Sequence, residues 1–273
     1  APTLDRVVVG AGLCGLSYAW RSVRAGASTR VLEASPRVGG VLRTEQRGPW
    51  RIEWAAAAFP STSEKLLELH AELPNAPAIR RPDRSTNAQF LWTRHGLERL
   101  PRTPPAFFAS GVRRRFGRGV AEGFLRPFTL GIYGTRPEDL GAADAFPTLP
   151  ELERAHGGVF RGFLKKKQAG SPGQPRTRRE VWVFEEGMEA FPKAIAAALG
   201  PEVVRTSTPA SDVCPAADSV EVRTGDGARV RAREVVLATT APEQARLVAS
   251  ICPEASALPI AVSSMSATVT SPL

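Results

Sequence analysis

Three glycines near the amino terminus have the spacing of a phosphate-binding turn. Gly10, Gly12 and Gly15 form the pattern G-x-G-x-x-G, with Leu13 and Cys14 between the second and third glycines. The first glycine permits a tight turn, the second lets a diphosphate approach the backbone, and the third lets the following helix pack on the preceding strand. These five residues therefore predict that a dinucleotide binds at the amino end of a helix.

An acidic residue follows at the distance that dinucleotide-binding proteins use. Glu33 lies 18 residues after Gly15. A carboxylate at the end of the second strand can accept hydrogen bonds from the hydroxyl groups of a bound ribose. We therefore expect Glu33, together with the adjacent Ala34, to contact the nucleoside end of the ligand.

The residues around the glycines predict the elements that position them. A short β-branched segment, Arg6 to Val9, precedes the turn, and a second strand, Thr29 to Leu32, ends at Glu33. Between the two strands, apolar residues recur at helical spacing. Strand, turn, helix and strand in this order form a βαβ unit, in which both strands end beside the ligand. The apolar residues of the predicted helix are Leu16, Ala19, Trp20 and Val23.

A second glycine pair favours a flavin dinucleotide over a nicotinamide dinucleotide. Gly39 and Gly40 follow the acidic residue closely and let the chain turn under a bound ligand. Arg37 places a cation near the phosphates. We expect these three residues to complete the dinucleotide site.

The composition excludes several other classes of protein. The chain has 273 residues, of which 42% are apolar, so it can bury an ordinary core and is not mainly disordered. Its three cysteines and three histidines lack the spacing of a disulfide framework or a metal site, so we expect no metal. No apolar run reaches the length of about 18 residues that a membrane span needs.

The net charge of +9 comes mainly from arginine and is concentrated in short basic runs. Such runs can meet nucleic acid, anionic lipid, an acidic partner or only solvent. We expect no nucleic-acid partner, because the runs lack interleaved aromatic residues and no DNA- or RNA-binding motif accompanies them. A solvated face, an anionic membrane surface and a protein complex stay open. The densest runs are 113–115, 165–167 and 176–179.

The amino-terminal pattern resembles the amine-oxidase and protoporphyrinogen-oxidase superfamily of FAD proteins. The resemblance rests on V-V-V-G-A-G-L-C-G-L-S-Y-A followed by V-L-E-A-S-P-R-V-G-G. It implies an α/β fold: a Rossmann-like FAD-binding domain with an inserted helical region and the start of a substrate-domain sheet. It also implies that the cofactor is FAD and that Glu33 holds its adenosine ribose.

Four later segments resemble protoporphyrinogen oxidases more specifically. They are similar to that family's hairpin ahead of a membrane-facing insert, its G-I-Y motif, its F-P-x-L-x-x-L-E helical stretch and its return to the flavin domain. The family oxidises protoporphyrinogen IX to protoporphyrin IX in tetrapyrrole biosynthesis. The resemblance therefore implies an oxidoreductase with a tetrapyrrole substrate. The segments are 90–101, 130–140, 145–162 and 184–192.

The same resemblance implies a discontinuous domain organisation. Residues 1–80 and 180–250 are expected to form the FAD-binding domain. Residues 81–179 are expected to form a hairpin and a helical, membrane-facing insert, and 251–273 the start of a truncated substrate domain.

Two strands of the returning segment add cofactor contacts by this resemblance. A strand from Val203 brings Ala210 to the adenine edge, and a buried strand from Val235 brings Ala238 beside the cofactor. Between these strands, alternating apolar and polar residues around an Asp-Gly turn at 226–227 predict a β-hairpin.

Several positions depart from the family's pattern. Ala57 replaces a polar side chain expected beneath the flavin, Gln89 replaces an arginine that pairs with a propionate, and Glu186 replaces a glycine. The helical insert is also short, and nearly half of a family enzyme would follow residue 273. A second interpretation therefore stays open: a catalytically inactive descendant that has lost FAD and serves as a subunit of a larger, membrane-associated complex.

The expected location follows from the same resemblance and from the cysteines. An odd number of widely spaced cysteines favours a reducing compartment over secretion. We expect a plastid, a mitochondrion or the bacterial cytoplasm, with the protein peripheral to a membrane.

Overall fold

The described part of the chain belongs to two units. The first unit comprises Ala1–Pro82 and Arg179–Leu273, and the second comprises Asp83–Arg178. The computed structural model describes residues 2–81, 90–93, 96–99, 151, 154–157, 180–251 and 267–270.

The helices and strands follow one another in a mixed α/β order. The helices are α1 (Leu13–Arg24), α2 (Glu64–Glu72), α3 (Ala190–Leu199) and α4 (Ala241–Leu247). The strands are β1 (Leu4–Val9), β2 (Thr29–Leu32), β3 (Thr44–Arg47), β4 (Trp50–Glu53), β5 (Phe59–Pro60), β6 (Ile79–Arg80), β7 (Phe90–Thr93), β8 (Gly96–Arg99), β9 (Val181–Phe184), β10 (Val204–Arg205), β11 (Ala210–Ala216), β12 (Ser219–Thr224), β13 (Arg229–Leu237) and β14 (Ala267–Thr270).

A seven-stranded sheet forms the centre of the first unit. Its strand order is β10-β2-β1-β13-β12-β11, and β14 also pairs with β13. The first four strands are parallel, whereas β11, β12 and β14 join by antiparallel pairing. Val9 lies opposite Leu32 on one side and Leu237 on the other, so β1, β2 and β13 end at the same level. Loops that follow these strands therefore meet at one edge of the sheet, as the Rossmann-like interpretation predicts.

Apolar side chains cover both faces of this sheet. The consecutive buried valines of β1, residues 7–9, point alternately into two clusters, as expected of a parallel strand that is covered on both sides. One cluster includes Leu16 of α1 and Phe191 of α3, and the other includes Leu247 of α4. Because β1 and α1 are both anchored in the core, the turn between them is held in place.

Strand β13 changes partner along its length. Its first half pairs with β12 and its second half with β14. The predicted hairpin around 226–227 is confirmed, but the strand predicted from Val235 is the end of the same nine-residue strand. Residues 267–270, which the resemblance assigns to the start of a substrate-domain sheet, pair antiparallel with β13 of this sheet. The division of the chain into domains stays a prediction.

The strand predicted to end at Ala210 is interrupted. β10 ends at Arg205, and β11 begins only at Ala210. Ser207 has φ of +51°, a left-handed conformation that strands do not adopt. The N–H of Thr208 donates to the carbonyl oxygen of Glu33 at 2.8 Å. The chain thus passes beside Glu33 before β11 starts.

Two small sheets lie where the residues after β9 contact the residues that follow Gly40. β3 pairs with β4, with Thr44 opposite Glu53, and β9 lies between β5 and β6. After β9, the N–H of Glu189 donates to Oγ1 of Thr44 at 3.1 Å. Residues more than 140 positions apart in the chain are joined at this point.

In the second unit, β7 and β8 form an antiparallel hairpin, with Phe90 opposite Arg99. This agrees with the hairpin predicted over 90–101. The predicted helical insert and its basic runs lie largely outside the described residues. Within the part of the chain that the structure describes, no helix is long and apolar enough to cross a membrane.

Candidate functional site

The first glycine turn joins β1 to α1 at the carboxyl edge of the sheet. Gly10 has φ of +105°, and a Cβ on it would lie 2.6 Å from the carbonyl oxygen of Ala238. A Cβ on Gly15 would lie 2.0 Å from the carbonyl oxygen of Gly10. Real Cβ atoms essentially never approach so closely, so any other residue at these positions would force the turn apart. The two glycines thus bring the start of α1 close to the end of β13.

The second glycine pair closes over the first turn. The N–H of Gly39 donates to the carbonyl oxygen of Ala11 at 2.8 Å, and Gly39 forms an isolated parallel bridge with Gly12. A Cβ on Gly40 would lie 3.1 Å from the Cα of Gly12. A Cβ on Gly12 would meet only the Cα of Gly40, at 4.0 Å. The missing side chain of Gly12 therefore leaves room beside two backbone segments, and we call this arrangement of Gly12, Gly39 and Gly40 the glycine cradle.

The amino end of α1 begins at the glycine cradle. Gly12 is the N-cap residue, no side chain caps the helix, and the first turn contains no acidic residue. The N–H groups of a first helical turn have no partner within the helix, and the helix dipole favours an anion there. Cys14 is exposed and Leu13 is half-buried. This end of α1 can therefore bind a phosphate group through the backbone.

Glu33 is held in place by both of its carboxylate oxygens. Oε2 accepts a hydrogen bond of 2.7 Å from the N–H of Ala11. Oε1 accepts from the N–H of Ser35 at 2.9 Å and from its hydroxyl at 2.8 Å. Because a carboxylate oxygen can accept two hydrogen bonds, Oε2 can still accept one from a ribose hydroxyl. The carboxylate lies where the sequence predicts it, at the end of β2.

Arg37 binds its own loop. Its Nη2 donates to the carbonyl oxygen of Gly40 at 2.6 Å, and its Nη1 donates to that of Leu42 at 3.2 Å. Nη1 also lies 3.5 Å from Oε1 of Glu189. The expected role of Arg37 beside the phosphates stays a prediction, and the structure adds a role within the loop. Sequence reasoning missed Glu189, which lies immediately before α3.

The three predicted alanine contacts lie in different surroundings. The N–H of Ala238 donates to the carbonyl oxygen of Val9 at 2.8 Å, so Ala238 belongs to the same edge as the first turn. Ala34 is exposed directly after Glu33. Ala210 is buried at the start of β11, in the segment that passes Glu33. The structure therefore places Ala238 beside the first glycine turn, and the cofactor contacts of all three alanines stay predictions.

Two of the departures from the family's pattern fall on described residues. Glu186 is exposed and lines a cavity of about 250 Å³ together with Arg51 and Lys193. The next residue, Gly187, is closely packed, because a Cβ on it would lie 2.3 Å from Cγ2 of Thr44. Ala57 is exposed. Gln89 lies outside the described residues.

Within the described ranges, no three His, Cys, Asp or Glu side chains come together in a way that could hold a metal ion. The arrangement suits a nucleotide held by backbone groups and one carboxylate.

Two protein-family profiles match the sequence of this chain. The profile described as a flavin containing amine oxidoreductase matches residues 77–268. A second profile, an NAD(P)-binding Rossmann-like domain, matches residues 8–73, which include both glycine turns. Together the two profiles span most of the chain.

Comparisons with individual proteins give distant relatives. The chloroplast protoporphyrinogen oxidase of Nicotiana tabacum is 29% identical over 239 residues, which cover 73% of this chain and 43% of the relative. The coproporphyrinogen III oxidase of Propionibacterium freudenreichii is 25% identical over 210 residues, which cover 63% of this chain and 39% of the relative. The chain thus spans less than half the length of these two relatives.

A solved structure has the same fold. The crystal structure of a putative protoporphyrinogen oxidase from Exiguobacterium sp. matches with a TM-score of 0.66 and 20% identity, covering 92% of this chain and 63% of that one. Cyclohexylamine oxidase from Brevibacterium oxydans matches with a TM-score of 0.63 and 19% identity, covering 90% of this chain and 60% of that one.

Proposed function

Because the chain belongs to the flavin containing amine oxidoreductase family, we propose that it is an FAD-dependent oxidase of the protoporphyrinogen type. The proposed reaction removes six hydrogen atoms from a reduced tetrapyrrole, protoporphyrinogen IX, transfers them in pairs to dioxygen as the terminal oxidant, and yields protoporphyrin IX and hydrogen peroxide. The observation that carries the proposal is the glycine cradle at the amino end of α1, with Glu33 fixed beside it.

FAD is the cofactor of this family, and the residues around the cradle fit its ADP half. The room beside Gly12 and the uncapped end of α1 suit the diphosphate. Glu33 retains the capacity to accept a hydrogen bond from the adenosine ribose. Arg37 contributes positive charge from the loop that covers the diphosphate.

The residues of this chain act by binding and orienting the cofactor. FAD supplies a ring that accepts a hydride from the substrate when it is bound. The glycine cradle and Glu33 hold the ADP end and so fix where that ring can lie. Since such oxidation needs few acids or bases from the protein, we assign no catalytic residue.

The named relatives support a tetrapyrrole as the class of substrate, but they differ in the individual tetrapyrrole that their names give. One is a protoporphyrinogen oxidase and another a coproporphyrinogen III oxidase, both below 30% identity. We therefore propose protoporphyrinogen IX as the substrate and include coproporphyrinogen III in the test.

The proposed activity is measured with anaerobically prepared protoporphyrinogen IX and added FAD. Porphyrin fluorescence is expected to rise faster than it does by autoxidation alone. A parallel reaction with coproporphyrinogen III decides which substrate is preferred. If the folded, FAD-loaded protein accelerates neither reaction, the oxidase proposal fails.

A second candidate function is a non-catalytic subunit of a larger complex. It is favoured by the exposed Ala57, where the family has a polar side chain, and by Glu186 in place of glycine. In this case the folded protein would not accelerate the oxidation of either protoporphyrinogen IX or coproporphyrinogen III. Co-purification of a stable partner would support this candidate, and acceleration by the isolated protein would exclude it.

Membrane contact and location remain part of the proposal. Relatives come from chloroplasts and from bacteria, which supports a plastid or a bacterial cytoplasm. The segments expected to touch an anionic membrane lie outside the described residues; the apolar ones are 104–108, 124–125 and 160–163, and the basic ones are 113–115 and 165–167. Flotation with anionic liposomes at low salt tests this contact, with neutral liposomes as the control, and absence of binding would contradict it.

A further inference from the structure

We propose that Glu189 is a positioning residue for the dinucleotide, because it fixes Arg37 and thereby holds the second glycine loop over the first. This inference rests on the proposed binding of FAD. Glu189 lies immediately before α3 and far from the glycine motifs in sequence. Its role is not apparent from either glycine motif alone.

The side chain of Glu189 is buried among groups of opposite charge. Only 9% of its side chain is exposed. Its Oε1 lies 3.5 Å from Nη1 of Arg37, and its Oε2 lies 3.2 Å from Nζ of Lys193. Oε2 also accepts a hydrogen bond of 3.3 Å from the N–H of Thr44. A buried carboxylate is costly unless it is paired and hydrogen-bonded, so these partners fix its position.

Thr44 holds Glu189 from a second direction. Oγ1 of Thr44 accepts from the N–H of Glu189 at 3.1 Å and donates to Oε2 of Glu53 at 2.9 Å. The N–H of Met188 donates to Oε1 of Glu53 at 3.1 Å. Both the backbone and the carboxylate of Glu189 are therefore tied to the chain that leaves the second glycine loop.

Arg37 connects Glu189 to the glycine cradle. Its guanidinium bridges Glu189 to the carbonyl oxygens of Gly40 and Leu42. Gly40 in turn lies against Gly12, within the distance at which one added methyl group would press on it. Removal of the Glu189 charge would leave the guanidinium held only by carbonyl oxygens of its own loop, so the loop would lose its tie to α3. The loop would then have to be ordered by the ligand itself, which lowers affinity.

The test compares Glu189→Gln with Glu72→Gln in the full chain. Glu72 pairs with Arg21 near the far end of α1 and so provides a matched loss of one carboxylate. Dissociation constants for FAD and for ADP are measured by flavin fluorescence and by competition, and thermal unfolding is measured in parallel. We expect Glu189→Gln to weaken both ligands about tenfold, a difference of about 1.4 kcal/mol, and Glu72→Gln to change neither by more than about twofold.

A double-mutant cycle decides whether Glu189 acts through Arg37. If Glu189 affects FAD binding only through Arg37, its replacement has no further effect once Arg37 is replaced. The double variant Arg37→Gln/Glu189→Gln is therefore expected to bind FAD no more weakly than Arg37→Gln alone. Additive losses would overturn the inference.

The outcomes separate this inference from the proposed function. If the unmodified protein does not bind FAD, the proposed function fails and the inference fails with it. If it binds FAD and Glu189→Gln binds equally well, only the inference fails. If Glu189→Gln does not fold, Glu189→Asp is tested in its place. This variant keeps the charge, but its side chain is one methylene shorter, so the carboxylate lies farther from Arg37. A folded Glu189→Asp protein with unchanged affinity for FAD would overturn the inference.

Discussion

Glu33 accepts a 2.7 Å hydrogen bond from the backbone N–H of Ala11, which lies inside the first glycine turn. The end of β2 and the turn after β1 are thereby locked to each other. The carboxylate does not have to be reoriented when a ribose arrives, because Ser35 holds its other oxygen. Such preorganisation lowers the cost of binding.

Replacement of Glu33 is expected to affect both the fold and the affinity for FAD. Glu33→Ala removes a charged acceptor, which should weaken FAD by about 1.5–3 kcal/mol, and leaves the buried N–H of Ala11 without an acceptor, which costs about 1–3 kcal/mol of stability. Glu33→Gln retains an acceptor for Ala11 and should lose affinity with little loss of stability. Calorimetric unfolding and FAD titration of both variants measure the two effects, and equal FAD affinity of Glu33→Ala and the unmodified protein would contradict this role.

Two glycines of the same motif are expected to respond differently to alanine. A Cβ on Gly15 would lie 2.0 Å from a backbone oxygen, so Gly15→Ala should destabilise the fold by about 3 kcal/mol or more. A Cβ on Gly12 has room, so Gly12→Ala should change stability by less than about 0.5 kcal/mol. Because that methyl group fills the cradle, Gly12→Ala should still weaken FAD at least tenfold. Thermal unfolding and FAD titration of both variants measure these effects. A Gly12→Ala protein that is destabilised more than Gly15→Ala, or that binds FAD as tightly as the unmodified protein, would contradict the assignment of the cradle.

Bound FAD is expected to protect Cys14 from alkylation. Cys14 is exposed next to the cradle, so a bound diphosphate would cover it. Cys214 serves as the internal control, because it lies on β11 and hydrogen bonding to Asp212 raises the pKa of its thiol. Peptide mapping after treatment with N-ethylmaleimide, with and without FAD, measures labelling at each site. Equal labelling of Cys14 in both samples would place the ligand elsewhere.

Acid is expected to destabilise the fold partly through Glu72. The pKa of Glu72 is lowered by a hydrogen bond from Nε1 of Trp20 and also by the bond from Arg21. Since the folded-state pKa is below the unfolded value, its contribution is present above about pH 4.5 and is lost as the pH falls through the folded-state pKa. Urea unfolding between pH 7 and pH 3 should therefore show a shallower decline for Glu72→Gln than for the unmodified protein. A decline of equal steepness would exclude this contribution.

The parts of the site that the sequence predicted are those built by local chain geometry. The glycine turn, α1 and Glu33 all lie within one βαβ unit, where spacing along the chain determines spacing in the fold. The contact between Arg37 and Glu189 joins residues 152 positions apart, and no local pattern encodes it. The partner change of β13 was missed for the same reason, because pairing with β14 depends on a distant segment.

The central claim, that this chain binds FAD through the glycine cradle and Glu33, is tested most directly by the visible spectrum of the purified protein. The protein is incubated with FAD and passed through gel filtration, together with Gly12→Ala and Glu33→Ala. We predict that flavin absorbance co-elutes with the unmodified protein and is reduced in both variants. A folded, unmodified protein that elutes colourless and leaves flavin fluorescence unchanged would contradict the claim.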